Sequence, residues 1–391
     1  MEYRLEELFD LQMGKTPSRN NNDYWRDEGN KWISISDLSQ CGKYISMTKE
    51  RISDKAVEET GIREIPANTV IMSFKLSIGK TAITSEPMYS NEAIMAFHDK
   101  HIANLIPDYI YYMFSGKDWN EGTNKAVLGK TLNKATLSKV KVNVCDIDKQ
   151  RSIVDILDKV SSILESRKKE LRMMDELIKA RFIEMFGDPI QNPKGWDMPL
   201  IEEVVANEKN ALKAGPFGSA LKKEYYVASG YKIYGQEQVI SGDCTFGDYY
   251  IDEERYKSLE NCAVQPGDVL ISLVGTYGKL LIMPEVFEPG IINPRLMKIT
   301  FDKEMVNPYY FKFFFQSESL KKALSENTHG GTMDILNLGI VRKIKMPLPP
   351  LKLQNEFVDF VYQADKSKVA IQKSLDETQV LFDSLMQKYF G

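Results

Sequence analysis

The strongest constraint on the fold of this chain is an internal repeat with an interval of about 200 residues. Residues 148–155 match residues 352–359, which places Gln150 and Gln354 at corresponding positions, 204 residues apart. Further segments recur in the same order at nearly the same spacing, and such a repeat indicates two copies of one domain. Gene duplication without functional consequence would explain the repeat. A target that is itself made of two half-sites would explain it too.

Each half opens with a region of mixed secondary structure. Short β-type runs at 69–72 and 269–272 are bounded by Gly, Pro and Asn, as strands usually are. Short helical segments are predicted at 109–114 and 309–315. Both halves therefore combine short strands with short helices before a long helix begins.

Each half ends in a long amphipathic helix, predicted at Lys149–Phe186 and at Gln354–Tyr389. Asp146 or Asp148 can cap the first helix, and Gly187 can end it in the left-handed conformation. Apolar residues recur along both helices at near-heptad spacing. We expect these residues to pair the helices: Leu157, Leu164, Leu171 and Ile178 in the first, and Val361, Ile371, Leu375 and Phe382 in the second. Alternatively, each helix packs only on its own domain.

The expected fold class is α+β. Two globular domains of mixed α/β character, related by the repeat, are joined by two long helices that form an antiparallel coiled coil. The expected boundaries are 1–147 for the first domain, 148–187 for the central helix, 188–350 for the second domain and 351–391 for the C-terminal helix.

Composition narrows the class of protein further. The formal net charge is −4, so a nucleic-acid surface would have to be local. No apolar run approaches the length of a membrane span, and the first residues do not resemble a secretory signal. The 4 cysteines are far apart, which favours reduced thiols and a cytoplasmic protein without a metal site.

Catalytic motifs are absent from the sequence. Gly79-Lys80-Thr81 resembles a fragment of a phosphate-binding loop, but Phe74 stands where that loop needs a glycine. No dinucleotide-binding, serine-hydrolase or zinc-protease motif occurs, and no tetrapeptide typical of an amino-methyltransferase is present. We therefore predict no catalytic residues and no cofactor on this chain.

Basic and polar side chains at corresponding places in both halves indicate DNA binding. Residues 129–143 and 209–223 each contain four lysines and no acidic residue. Lysine and arginine suit phosphate or guanine, glutamine suits adenine, and glycine lets the backbone approach DNA closely. The predicted DNA-binding residues of the first half are Lys15, Thr16, Ser18, Arg19, Ser34, Ser36, Lys80, Lys130 and Thr131. Those of the second half are Lys213, Phe217, Gly218, Ser219, Lys222, Lys223, Tyr234, Gln236, Gln238, Lys279, Arg295 and Thr332.

The order of these segments resembles the specificity subunit of type I restriction-modification systems. The resemblance covers the whole chain and includes Gly14–Ser18, Trp32–Leu38, Gly215–Ser219 and the helix end Glu184–Pro189. It implies that two recognition domains each read one half of an asymmetric bipartite DNA site. The helices would then act as a spacer and as a docking platform.

The resemblance also implies partners. Double-stranded DNA, two modification subunits and restriction subunits would bind this chain, and S-adenosylmethionine, ATP and Mg²⁺ would act in those subunits. Two alternatives stay open at this point: a two-fold coiled-coil scaffold, and a DNA-modifying enzyme whose active site is not recognisable. Methylation or cleavage by the purified chain alone would favour the enzyme, and binding without sequence preference would favour the scaffold.

Overall fold

The chain divides into two compact units in the computed structural model. Unit 1 consists of Met1–Lys169 with Gln372–Gly391, and unit 2 consists of Glu170–Ile371. Each long helix therefore contributes residues to both units. The structure describes residues 1–26, 28–75, 77–119, 132–217, 220–273, 278–326 and 336–391.

Unit 1 is a mixed α/β structure. Its strands are β1 Glu2–Arg4, β2 Phe9–Met13, β3 Trp25–Arg26, β4 Asn30–Ile33, β5 Tyr44–Ile45, β6 Glu50–Ile52, β7 Val70–Ser73, β8 Thr81–Thr84, β9 Tyr89–Ser90, β10 Ile94–Asp99 and β11 Lys141–Asn143. Its short helices are α1 Leu5–Leu8, α2 Ile35–Gln40, α3 Asp54–Thr60, α4 Pro107–Gly116 and α5 Lys134–Ser138. The first long helix, α6, spans Ile147–Phe186 and continues into unit 2.

Unit 2 has the same alternation of short strands and helices. Its strands are β12 Leu212–Ala214, β13 Tyr231–Tyr234, β14 Tyr250–Ile251, β15 Val269–Ser272, β16 Leu280–Ile282, β17 Gly290–Ile292 and β18 Leu296–Ile299. Its short helices are α7 Gln236–Ser241, α8 Glu253–Ser258, α9 Pro308–Phe315, α10 Glu318–Glu326 and α11 Leu338–Arg342. The second long helix, α12, spans Leu351–Phe390.

The sheets of the two units share a set of strands in the same order, and unit 1 has additional strands. In unit 1 the larger sheet has the order β2-β10-β7-β8-β5, and in unit 2 its counterpart is β12-β18-β15-β16. A smaller sheet in each unit contains one parallel pair, β4 with β9 in unit 1 and β13 with β17 in unit 2. The internal repeat of the sequence is therefore a repeat of structure.

The first long helix begins and ends close to its predicted limits. The Asp146 carboxylate accepts a hydrogen bond from the backbone N–H of Lys149 at 2.9 Å, which caps the helix as predicted. Gly187 follows the last helical residue with φ +80°. This left-handed conformation favours glycine and ends the helix.

Within unit 2 the two long helices run antiparallel. Phe186 contacts Phe357 with 5.5 Å between ring centroids. Asp175 accepts a hydrogen bond from Lys368 at 2.7 Å. Moving forward along α6, from 175 to 186, therefore means moving backward along α12, from 368 to 357. This confirms the predicted antiparallel pairing.

The residues predicted to pair the helices are all buried or half-buried. Leu157 is buried in the core of unit 1, where Phe382 packs against the same core. Ile178 and Val361 lie in the core of unit 2. Leu164 is buried, and the remaining three are half-buried: Leu171, Ile371 and Leu375.

The heptad pattern nevertheless does not identify the buried residues near the C-terminal end of the first helix. The most buried residues there are Ile178, Phe182 and Phe186, which are spaced by four residues rather than alternating between three and four. The seven-residue spacing from Leu157 to Ile178 continues to Met185 instead, and Met185 is only half-buried. The reason is that this end of the helix packs into a globular core, and Phe182 and Phe186 contact Tyr310 of α9.

The repeat-related glutamines Gln150 and Gln354 are buried completely and make equivalent hydrogen bonds. The amide oxygen of Gln150 accepts from the Ile106 N–H at 3.1 Å, and that of Gln354 accepts from the Asn307 N–H at 2.9 Å. Each side-chain NH₂ group donates to two backbone carbonyls. The acceptors are Asn104 and Cys145 for Gln150, and Met305 and Pro349 for Gln354. Each glutamine thus ties the start of a long helix to the segment before α4 or α9.

Candidate nucleic-acid interface

Most of the predicted DNA-binding residues in the described ranges lie in the loops at one end of the larger sheet in each unit. In unit 1, Met13 at the end of β2 pairs with Met95, and Ser73 at the end of β7 pairs with Ile94. The end of β4 joins the same edge, because the Asn91 N–H donates to the Ile33 carbonyl at 3.1 Å. We call this the loop edge. It consists of residues 13–19, 33–37, 73–75, 77–81 and 91–94 in unit 1, and of 214–217, 234–238, 272–273, 278–280 and 293–296 in unit 2.

A glycine and an asparagine build the centre of each loop edge. A side chain at Gly14 would collide with the Asn91 carbonyl, and one at Gly215 would collide with the Asn293 carbonyl. The Asn91 and Asn293 side chains each accept a hydrogen bond from the backbone N–H two residues later, at 3.0 and 2.9 Å. These asparagines were not predicted as site residues. Their recurrence in both halves was the signal that could have identified them.

Two predicted residues of the first loop in unit 1 hydrogen-bond within the unit. The Lys15 ammonium donates to the Thr60 carbonyl, and the Thr16 hydroxyl donates to Glu92. The bond from Thr16 is the main cause that lowers the pKa of Glu92 below its usual value. Ser18 is exposed, and its carbonyl accepts from the Trp25 indole N–H at 3.1 Å.

Arg19 is held by aromatic and acidic neighbours. Its guanidinium lies 3.8 Å from the ring centroid of Trp25 and 5.0 Å from that of Trp32. Both of its terminal nitrogens donate to the Glu50 carboxylate, one of them at 3.0 Å. This bidentate bond raises the pKa of Arg19 above its usual value. Trp32 entered the sequence analysis only through the family resemblance and Trp25 was not predicted as a site residue, so sequence reasoning missed their part in orienting this arginine.

Two further predicted residues of unit 1, Ser34 and Ser36, lie at the start of helix α2, and a third, Lys80, lies before β8. Ser34 is the N-cap: its hydroxyl accepts from the Asp37 N–H at 3.2 Å and donates to the Asp37 carboxylate at 2.7 Å. Ser36 is exposed and accepts from the Lys49 ammonium at 3.4 Å. Lys80 is exposed just before β8. Ser36 and Lys80 therefore face solvent at the loop edge, whereas the Ser34 hydroxyl stabilises the helix.

Among the predicted DNA-binding residues of unit 2, Phe217, Lys222 and Lys223 are exposed and Lys213 lies within a strand. Phe217 is 83% exposed, which is unusual for an aromatic side chain and places it where a ligand can reach it. Lys222 and Lys223 are exposed at a short 3₁₀ turn, Lys223–Tyr225. Lys213 lies within strand β12 opposite Lys298 and is half-buried, so it is not part of the loop edge.

Tyr234 and Gln238 are buried, so the prediction that they bind DNA is wrong. Tyr234 is fully buried, and its hydroxyl donates to the Glu288 carbonyl at 2.5 Å. Gln238 is 1% exposed; it accepts from the Gly235 N–H at 2.8 Å and donates to the Phe246 carbonyl at 2.6 Å. Neither side chain can reach a base without disrupting the unit. Gln238 accepts from the N-cap residue of α7 as the Asp37 carboxylate accepts from the Ser34 N–H at the start of α2.

Gln236, Lys279 and Arg295 lie together at the loop edge of unit 2. The Gln236 amide donates to the Ser272 hydroxyl at 2.8 Å, and its oxygen accepts from Arg295 at 3.4 Å. Lys279 and Arg295 are exposed. The predicted residues Lys130, Thr131, Gly218, Ser219 and Thr332 lie outside the part of the chain that the structure describes.

The described ranges contain neither a candidate metal site nor a candidate membrane span. No group of three or more His, Cys, Asp or Glu side chains there could hold a metal ion. None of the helices in those ranges is long and apolar enough to span a membrane.

Comparison with known proteins gives the family. The family model for the type I restriction-modification DNA specificity domain matches residues 1–173 and 193–378. The MjaIX specificity subunit of Methanocaldococcus jannaschii is 22% identical over 98% of this chain and 91% of its own length. The EcoR124I/EcoR124II specificity subunit of Escherichia coli is 27% identical over 39% of each chain. These relatives are the specificity subunits of their restriction enzymes.

Solved structures show the same fold. A chain from a type I restriction-modification system, solved in work on complex assembly and conformational transition, has a TM-score of 0.65 and 14% identity over 100% of this chain and 97% of that one. The restriction-modification S subunit of M. genitalium has a TM-score of 0.52 and 14% identity over 100% of this chain and 96% of that one. Because the family model covers most of the chain, the chain belongs to the type I restriction-modification DNA specificity family and is the specificity subunit of such a complex.

Proposed function

We propose that each unit reads one half of an asymmetric bipartite DNA sequence through its loop edge. The observation that carries this proposal is that the two loop edges share one backbone frame but differ in their side chains. Thr16, Ile35 and Ala93 of unit 1 correspond to Phe217, Gln236 and Arg295 of unit 2. Two domains that bind two different half-sites need the same backbone arrangement but different side chains that contact the bases.

The charge at the loop edges supports DNA as the ligand. The whole chain is acidic, with a net charge of −4. Exposed basic side chains nevertheless lie on or next to the loop edge of each unit: Lys15, Arg19 and Lys80 in unit 1, and Lys222, Lys223, Lys279 and Arg295 in unit 2. Local positive charge of this kind binds phosphates and releases counterions.

The direct test is the pattern of adenine methylation in cells. The chain is co-expressed with its modification subunit, and methylated positions are mapped by long-read sequencing. We expect methylation at one asymmetric motif made of two half-sites with a fixed gap. Methylation that does not change when this chain is deleted would contradict the proposal.

Replacing Lys222 and Lys223 by alanine is expected to weaken DNA binding by a similar factor for all sequences. The reason is that exposed lysines contact phosphates, which carry no sequence information. The slope of log K against log salt should fall by roughly one for each lysine removed. The measurement is the dissociation constant of the assembled complex for matched and scrambled duplexes at several salt concentrations.

Lys352→Ala is the matched control for this pair, because Lys352 is exposed on the long helix α12 and away from the loop edge. It should leave both affinity and salt slope unchanged. If the Lys222 and Lys223 variants lost binding only to the matched duplex, these lysines would be base readers instead.

The internal duplication of the chain supports two copies of a modification subunit as partners. Two related units offer two equivalent surfaces, which suits two copies of a modification subunit, and restriction subunits would join that assembly. S-adenosylmethionine, ATP and Mg²⁺ would act in those partners, so this chain would need no cofactor of its own. The complex would act in the cytoplasm, in keeping with four cysteines that are all free thiols.

Lengthening both long helices is expected to lengthen the recognised gap. Each helix continues from unit 1 into unit 2 without interruption. One heptad inserted between Leu164 and Leu171, together with one beside Ile371, adds about 10 Å of helix, or roughly three base pairs. Methylation mapping measures the new gap. An insertion in one helix only is the control and should abolish methylation, and an unchanged gap in the double insertion would refute the spacer role.

A further inference from the structure

One arginine at the loop edge of unit 2 differs from the other basic residues in how it is held. Arg295 follows Asn293 in the turn before β18, and both ends of its backbone are fixed. Its N–H donates to the Asn293 side chain at 2.9 Å, and its carbonyl accepts from the Leu273 N–H at 2.9 Å. The side chain is exposed. The base of the side chain is therefore rigid and its guanidinium is accessible.

The guanidinium is oriented by an uncharged neighbour. The Gln236 amide is anchored by its hydrogen bond to Ser272, which is 1% exposed at the end of β15. This bond turns the amide oxygen of Gln236 towards Arg295, 3.4 Å away. The partner that orients the guanidinium is thus a neutral amide rather than a carboxylate.

In the part of the chain that the structure describes, no carboxylate competes with DNA for Arg295. Within the described ranges, no acidic side chain lies within 4.0 Å of its nitrogens, whereas Arg19 of unit 1 is bound bidentately by Glu50. Arg19 would have to leave Glu50 before it could bind a base, and Arg295 would not. An arginine that is oriented by a neutral partner can present its planar fork to the O6 and N7 acceptors of guanine, and this is the commonest specific contact to DNA.

Unit 1 lacks this arrangement. The residues that correspond to Gln236 and Arg295 are Ile35 and Ala93, neither of which has a polar side chain. Ser73, which corresponds to Ser272, is fully buried and accepts from the Lys80 N–H of its own loop at 3.1 Å. The first half-site therefore cannot be read in this way at this position.

We infer that Arg295, oriented by Gln236, reads a guanine in the half-site bound by unit 2 and that Ile35 and Ala93, at the corresponding positions of unit 1, do not make the equivalent contact. The inference rests on the proposed function and adds to it a specificity-determining residue and the base that it selects. Gln236 acts through Arg295 and is a positioning residue.

The test maps methylation by the assembled complex on a library with both half-sites randomised. The variants are Arg295→Ala, Arg295→Lys and Gln236→Ala. We expect the unaltered complex to prefer guanine at one position of one half-site by roughly 5- to 150-fold. Both Arg295 variants should lose this preference, because lysine keeps the charge but not the planar fork. Gln236→Ala should reduce it partly, and preferences in the other half-site should stay unchanged.

Lys279→Ala is the matched control, because Lys279 is an exposed basic residue of the same loop edge. It should lower methylation without changing any base preference. Three results would overturn the inference. In the first, Arg295→Ala lowers methylation equally for all sequences and Arg295→Lys restores it. In the second, Gln236→Ala loses a preference for adenine while the preference for guanine stays intact. In the third, the base preferences of both half-sites change in parallel. Absence of any bipartite motif with the unaltered complex would instead refute the proposed function.

Discussion

Replacing Phe357 by alanine should destabilise unit 2 by about 3–5 kcal/mol, the range typical of a large aromatic side chain removed from a core. Phe357 is fully buried. Its ring centroid lies 5.4 Å from Phe182, 5.5 Å from Phe186 and 5.1 Å from Phe313. Truncation leaves a cavity among three rings on two other helices, which cannot both move to fill it. Chemical unfolding, followed by hydrogen exchange resolved to each unit, measures the loss.

Tyr362→Ala is the matched control for Phe357→Ala. Tyr362 lies on the same helix α12 but is 66% exposed, so the same kind of truncation should change stability by less than about 0.5 kcal/mol. Faster exchange should appear in unit 2 for Phe357→Ala. Equal losses in the two variants would mean that Phe357 contributes through helix propensity rather than through packing.

The long helices could be predicted from sequence because their signals are local. The periodicity, the cap at Asp146 and the stop at Gly187 all lie within or next to the helix. The observed starts, Ile147 and Leu351, precede the predicted ones by two and three residues. Phe182 and Phe186 were missed because their burial depends on α9, which lies more than a hundred residues away in sequence. Periodicity does not encode such a partner.

The site could be predicted only in part, because residue type does not reveal what a side chain is bonded to. Gln236 and Gln238 are the same amino acid two positions apart at the start of one helix. The first is half-buried at the loop edge, and the second is buried as the cap of α7. Locating the helix start after Gly235 would have assigned Gln238 to capping. Ser34, predicted to bind DNA, likewise precedes the first residue of a helix, and its hydroxyl is an N-cap.

The role of Gln150 and Gln354 also lay beyond sequence reasoning. Their correspondence was visible, but their hydrogen-bond acceptors are backbone carbonyls, which every residue possesses. In unit 2 one acceptor, Met305, lies 49 residues before Gln354. No side-chain pattern marks such an acceptor, so only the fold identifies the contact.

Replacing these glutamines by leucine is expected to cost each unit about 3 kcal/mol or more. Leucine is close to glutamine in size but cannot hydrogen-bond. In unit 2 the substitution leaves the Asn307 N–H and the carbonyls of Met305 and Pro349 without their partner at a buried site. Each such group costs about 1–3 kcal/mol when unsatisfied. Gln150→Leu should have the same effect on unit 1, and hydrogen exchange resolved to each unit measures both.

Gln363→Leu provides the control, because Gln363 lies exposed on the same helix as Gln354 and should tolerate leucine at little cost. Faster exchange should appear only in the unit that carries the substitution. If Gln354→Leu matched the control, water or a shifted backbone would satisfy the three groups, and the glutamine would not stabilise the unit. Similar losses for Gln150→Leu and Gln354→Leu would show that the two halves kept one stabilising contact at the base of each long helix while their loop edges diverged. Selection for stability would then act on one end of each unit and selection for different DNA half-sites on the other.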